Sequence, residues 1–292
     1  MSEYEIYIDA SVDVPADVLN DGNVHIIPMH YTADGAERVM ERPLNDGEMK
    51  AYYDEMRAGV VMKTSQITPF HYEEAFRDDI EAGKGIIYLS LSSGLSNTYT
   101  SALTARDTIL DEHPDAKIEI VDTLGATGGM GLLLILAVRN REKGMSLEEN
   151  AAFLRDHALD VVFWFVVDDL SFLRRGGRIS AASAIAGTML NLKPILKITD
   201  EGTLTGVSKQ RGIAKALKYM ASLYEKSHEQ TIADDVIICH ADDIERAEKI
   251  RDMILDINPN ARARITSLSP IIGAHTGPGM TCICYLGNRN IV

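Results

Sequence analysis

The sequence predicts an α/β fold of two domains, from three observations. Short runs rich in β-branched and aromatic residues alternate with stretches of helical period; this alternation continues across all 292 residues; and one tight hairpin interrupts it in the second half. Alternation of this kind favours mainly parallel strands, because a crossover helix returns the chain to its starting edge. The hairpin adds antiparallel pairing, so a parallel-sheet domain is expected over 1–158 and a mixed-sheet domain over 159–292.

The first strand is placed at 5–8, where Ile6 and Ile8 alternate with Glu5 and Tyr7, and the second at 24–31, a run of Val, Ile, Met and Tyr. Apolar residues at helical spacing place a helix over 46–57. Another, over 70–82, is announced by Thr68 as N-cap and Pro69 at the first helical position, where a missing N–H is tolerated. A strand at 85–91, a helix at 97–110 and a strand at 117–121 follow. The helix over 128–142 is very apolar, and Gly125, Gly128, Gly129 and Gly131 at its start read as sites of close packing. A helix over 147–157 ends the first half. The unbroken apolar run at 161–167 suits a strand buried on both faces. Strands at 194–198 and 203–208 form the hairpin around Asp200-Glu201-Gly202, whose residues supply the turn. A helix at 212–225, a strand at 235–240, a helix at 243–257 and strands at 263–267 and 281–285 complete the chain. His240-Ala-Asp242-Asp243 reads as a strand end and helix cap, and Cys282 and Cys284 share one face of the last strand.

With 46% hydrophobic and 25% charged residues the chain is globular rather than disordered. Its net charge of -14 opposes general binding to nucleic acid, and no nucleic-acid partner is expected. The amino terminus lacks the basic and apolar regions of a secretion signal, and no apolar run approaches the length of a membrane span; a cytoplasmic location is expected, with room for transient membrane contact. Three cysteines make no disulfide framework or zinc motif, and the familiar nucleotide-binding glycine motifs are absent, so no metal and no resident cofactor are expected.

Four polar loops lie at strand ends, where open α/β sheets place ligands. In Asp9-Ala-Ser11-Val-Asp13 a turn with helix-capping residues is a sufficient account. In Lys63-Thr64-Ser65-Gln66, capping explains Thr68 but leaves the hydroxyls of Thr64 and Ser65 without a structural duty. Ser90-Leu-Ser-Ser93-Gly-Leu-Ser96-Asn97 precedes a helix, where unpaired N–H groups favour an anion; capping alone needs one serine of the four. In Ile272-Gly-Ala-His275-Thr-Gly-Pro-Gly279 the glycines surround a single histidine, which reads as a functional His275 fixed in a loop. Residues 171–220 also hold nine basic side chains against Asp200 and Glu201. A solvated basic face explains Lys215 and Lys218, whereas Arg178 and Arg211 stand beside glycines, where a guanidinium fork can meet a carboxylate or phosphate.

Taken in order, Asp9-Ala-Ser-Val-Asp13, Thr64-Ser-Gln66, Ser93-Gly-Leu-Ser96-Asn-Thr-Tyr99, Gly176-Gly-Arg-Ile179, Lys193-Pro194, Lys209-Gln-Arg-Gly212 and Gly273-Ala-His-Thr-Gly-Pro-Gly279 resemble the DegV family across the whole chain. The resemblance implies a bacterial fatty-acid-binding protein whose two-domain fold encloses one acyl chain in a tunnel. Thr64 and Ser96 would hold the carboxylate, His275 and Arg211 would line the head-group region, and Ser65, Ser93, Asn97 and Arg178 would stand beside it. The bound fatty acid is the expected ligand, and a separate ATP-dependent fatty acid kinase the expected partner. Asn97 stands where the family usually has glycine, and Ile67 where proline usually follows Thr-Ser-Gln.

Such a carrier is physically reasonable. Burying an acyl chain yields about 0.8 kcal/mol per methylene, so the tail supplies affinity while hydrogen bonds to the carboxylate set orientation. The competing reading is a serine-dependent acyl hydrolase, with Ser96 as nucleophile, His275 as base and Asp9 or Asp13 as orienter; it lacks the G-x-S-x-G elbow.

Overall fold

The computed structural model describes residues 4–19, 24–179, 191–228 and 233–292, so residues 1–3 and 20–23 of the expected amino-terminal domain and 180–190 and 229–232 of the expected carboxyl-terminal domain lie outside it. β1 (Tyr4–Asp9) leads through the short α1 (Ala16–Leu19) to β2 (Val24–Ile27), its parallel neighbour. Pro28 ends β2, since proline has no N–H for the ladder. The expected strand over 24–31 is thereby two strands in two sheets. β3 (Met29–Ala33) turns through Asp34 and Gly35, both at positive φ, into β4 (Ala36–Met40). After α2 (Asp46–Arg57), β5 (Met62–Thr64) joins the other side of β3, making a small antiparallel sheet ordered β4-β3-β5.

α3 (Pro69–Glu81), β6 (Gly85–Ser90), α4 (Thr98–Glu112), β7 (Ile118–Asp122), α5 (Thr127–Glu142) and α6 (Leu147–His157) complete the amino-terminal domain. Its main sheet, β2-β1-β6-β7, is parallel throughout. The carboxyl-terminal domain runs β8 (Val161–Val166), α7 (Ser171–Arg175), β9 (Leu192–Ile198), β10 (Leu204–Arg211), α8 (Ile213–Ser227), β11 (Asp235–His240), α9 (Ile244–Ile257), β12 (Arg262–Ser267), α10 (Pro270–Thr276) and β13 (Thr281–Leu286). Its sheet, β10-β9-β8-β13-β11-β12, is mixed, and only β11 with β12 is parallel. A parallel main sheet in the first domain and a mixed sheet in the second are as expected; in the second a tight hairpin joins β9 to β10, and β13 enters from α10 rather than from a crossover helix.

α5 lies between the two main sheets, touching β1 and β6 of one and β8, β11 and β13 of the other. Its glycines permit this. A Cβ at Gly129 would fall 1.9 Å from Phe163, and one at Gly128 would fall 2.7 Å from Ile237. β8 is buried on both faces: Phe163 and Phe165 face the core shared with α5, whereas Val162, Trp164 and Val166 face a second core under α8 and α9. Among the described residues no helix is long and apolar enough to cross a membrane.

Candidate functional site

From β1 the chain crosses to β2 on one side, and later returns to β6 on the other, so the strand order reverses between β1 and β6. Open sheets hold ligands at such a point, beyond the carboxyl ends of the strands. Asp9 closes the crevice floor: its Oδ2 accepts from the Leu91 N–H at 3.0 Å and the Tyr88 hydroxyl at 2.8 Å, and its Oδ1 accepts from the Ser11 N–H. The loop after β6 is pinned by Ser92, whose N–H donates to the Gly125 carbonyl and whose hydroxyl donates to the Gly202 carbonyl at the tip of the β9–β10 hairpin. A Cβ on Gly94 would lie 2.5 Å from the Glu201 carbonyl oxygen, so bare backbone meets bare backbone where the two domains touch.

Above this contact, residues from four segments of the chain converge. Thr64 ends β5, and its hydroxyl shares a hydrogen bond of 2.8 Å with His275 Nε2. His275 lies in the last turn of α10, not in a loop as the glycines suggested; Pro270 starts the helix and Gly277, at φ +77°, ends it. Its other nitrogen, Nδ1, is buried with no partner among the described residues and lies against Gly176, where a Cβ would come within 2.3 Å. Burial, with the Arg178 charge second, depresses the imidazole to about 4, so it is neutral near pH 7. Arg178 donates to the carbonyls of Leu95 and Gly176, and among the described residues it forms no salt bridge. Burial lowers its pKa as well. A half-buried guanidinium with no carboxylate partner among the described residues can pair with an anion.

Thr64, Ser65, Ser96, Arg178 and His275 all line one cavity of about 80 Å³ whose remaining wall is mostly apolar, including Phe163, Phe165, Ile198, Leu204 and Ile271. An open recess of about 390 Å³ shares Thr64, Ser96 and Arg178 with it, adds Ser93 and Asn97, and forms its polar mouth. A larger cleft of about 1350 Å³ sits at the other end of the parallel sheet. It contains none of the candidate residues and is edged by charges already paired, such as Lys117 with Glu148, so size alone does not mark the site.

Arg211 is the one candidate that lines neither the cavity nor its mouth. It is exposed at the end of β10, seven residues beyond the wall residue Leu204. The Ser96 hydroxyl also has a local duty, accepting from the Thr98 N–H at 3.2 Å and donating to the Thr98 hydroxyl at 2.9 Å. Asn97 has φ -77°, an ordinary value, so the loop needs no glycine there, and Ile67 is buried as an apolar anchor. Thr68 does precede Pro69 at the start of α3, but its hydroxyl meets the His71 ring rather than the backbone.

The hydrolase relay is not assembled. His275 bonds Thr64 rather than Ser96, Asp9 bonds Ser11, Tyr88 and Leu91, and Asp13 bonds Thr127 and Ser269. Sequence reasoning missed the apolar wall. The alternation of Phe163 and Phe165 with Trp164 marks two faces, but nothing in the run tells which face meets a cavity. Cys282 is one of these wall residues, and its thiol lies 3.9 Å from that of Cys284 in the core.

Comparison with known proteins places the whole chain in one family. The DegV family model, described as covering uncharacterised proteins, matches residues 3–288. A DegV domain-containing protein of Clostridium perfringens is 34% identical over 290 residues, covering 99% of each chain. Among solved structures, a fatty-acid-binding DegV family protein of Thermus thermophilus superposes with a TM-score of 0.83 at 26% identity, covering 97% of this chain and 99% of its own. A Streptococcus pneumoniae fatty acid kinase B3 protein loaded with linoleic acid has the same fold, with a TM-score of 0.84 at 22% identity and the same coverage.

Proposed function

This chain belongs to the DegV family, and we propose from that premise that it is a fatty-acid carrier, which sequesters one long acyl chain and presents its carboxylate to a separate ATP-dependent fatty acid kinase for acyl phosphate formation. The observation that carries the reading is the convergence of Thr64, Ser96, Arg178 and His275, drawn from both domains, on the polar end of one apolar cavity. The tail enters between Phe163, Phe165 and Ile271, where each buried methylene contributes about 0.8 kcal/mol. The carboxylate accepts from the hydroxyls of Thr64 and Ser96 and neutralises Arg178, while neutral His275 donates from Nε2 to the Thr64 oxygen and so leaves the Thr64 proton for the carboxylate. Ser65 lines the cavity beside them, Ser93 and Asn97 line the mouth, and Arg211 stands outside the head-group shell. The kinase half of the reading is supported by the earlier family resemblance and by the name of the pneumococcal protein of the same fold.

Mass spectrometry of lipid extracted from protein purified from a bacterial host tests the carrier reading, with about one fatty acid per chain expected because a dry apolar cavity favours an apolar occupant. Recovery of none, together with no binding of added palmitate or oleate, overturns it. Incubating the loaded protein with ATP and a fatty acid kinase tests the second half, acyl phosphate being the expected product.

A further inference from the structure

Asp13, in the first polar loop, takes no part in the carboxylate site described above, yet it touches two of the elements that build it. It is buried, and its two oxygens serve different elements. Oδ1 accepts from the Ser269 N–H at 2.8 Å, at the N-cap of α10, and Oδ2 accepts from the hydroxyl of Thr127, which opens α5 and lines the acyl cavity. α10 has only seven residues, too few to hold a helix by propensity, so outside contacts set its position. Around the Asp13 bond, α2 supplies two more: the Tyr53 hydroxyl donates to the Leu268 carbonyl at 2.8 Å and the Tyr52 hydroxyl to the Pro270 carbonyl at 2.9 Å. The helix then lies flat on Tyr53, because a Cβ at Gly273 would fall 2.5 Å from the Tyr53 hydroxyl. His275 sits six residues beyond Ser269, roughly 9 Å along the axis at about 1.5 Å per residue. A shift at the start of so short a rigid rod is carried to the imidazole and breaks its 2.8 Å contact with Thr64.

We propose that Asp13 is a positioning residue of the head-group site: it fixes the start of α10 against the start of α5, and so holds His275 at Thr64 and the acyl wall in one register. The inference rests on the carrier reading. The ionisable groups that sense Asp13 are Tyr53 from α2, Cys239 from β11 and Cys284 from β13, all neutral near pH 7. No cation among the described residues pairs with the carboxyl, so its partners are the two elements it joins.

The test compares palmitate with 1-hexadecanol, which keeps the tail and lacks the carboxylate. Asp13→Ala is expected to weaken palmitate by about tenfold or more, the effect of losing one hydrogen bond to a charged group, and hexadecanol by no more than about threefold. Asp13→Asn, which retains an acceptor for the Ser269 N–H, restores most of the palmitate affinity. Tyr53→Phe removes a second bond to the same helix end without touching the cavity, and produces the same acid-over-alcohol loss on a smaller scale; it decides the matter if Asp13→Ala does not fold. Equal losses for both ligands, or no loss in either variant, overturn the proposal. Wild-type protein that binds neither ligand overturns the carrier reading instead.

Discussion

Burial moves His275 and Asp13 in opposite senses. Asp13 is pushed up to about 7 by desolvation, against the hydrogen bonds from Thr127 and Ser269 that lower it. In the folded chain it keeps its proton well above the ordinary 3.8, so its contribution to stability is complete below 3.8 and is lost as pH climbs through 7. His275, depressed from 6.5 to about 4, contributes fully above 6.5 and loses that contribution as pH falls through 4. The two effects are each on the order of 3 to 4 kcal/mol and oppose one another across the same window. Urea denaturation between pH 4.5 and 7.5 should therefore separate them: Asp13→Asn stability rises with pH relative to wild type, and His275→Gln stability falls. Parallel curves for the two variants refute the assignment. Of these residues, His275 stands out in the sequence because glycines surround it, whereas Asp13 reads as a turn or cap, since its Ser269 partner lies 256 positions away.

Among elements, the β9–β10 hairpin does two jobs. Ile198 and Leu204, at either side of its turn, form part of the cavity wall, and its tip rests on Ser92 and Gly94 of the loop that carries Ser96. Gly94→Ala drives a Cβ into the Glu201 and Gly202 backbone, which cannot move aside as a side chain would. A loss of about 1 to 3 kcal/mol is expected, with faster fatty acid release as the wall lifts. Thermal denaturation and stopped-flow displacement of a fluorescent fatty acid measure the two effects, and unchanged release at lowered stability would separate the tip from the wall. The hairpin was readable because Asp200, Glu201 and Gly202 announce a turn between two β-rich runs. β4, β5 and α10 were not: β4 and β5 are short edge strands of five and three residues, and α10 hides a proline-started helix among glycines. Pro28 carried a signal that the expectation of one strand over 24–31 overlooked, that proline cannot continue a central ladder.

At the scale of the molecule, the larger core is built by both halves, and the second core, under α8 and α9, by the carboxyl-terminal half alone. α5 comes from the first domain, yet it packs on three strands of the second, and α10 comes from the second, yet it is held by Tyr52, Tyr53 and Asp13 of the first. A fragment cut at 158 is therefore expected to be aggregation-prone and to bind hydrophobic dye, and to become soluble when 159–292 is supplied in trans. A cooperative, monomeric melt of 1–158 by itself would contradict this. α5 also bears on how the protein is made. Its apolar surface leaves the ribosome roughly 140 residues before β13 arrives to cover it, an interval on the order of 10 s at ordinary elongation rates. Throughout that interval the nascent chain displays a helix with no charged side chain before Arg139, and a chaperone that recognises such segments has its longest opportunity there.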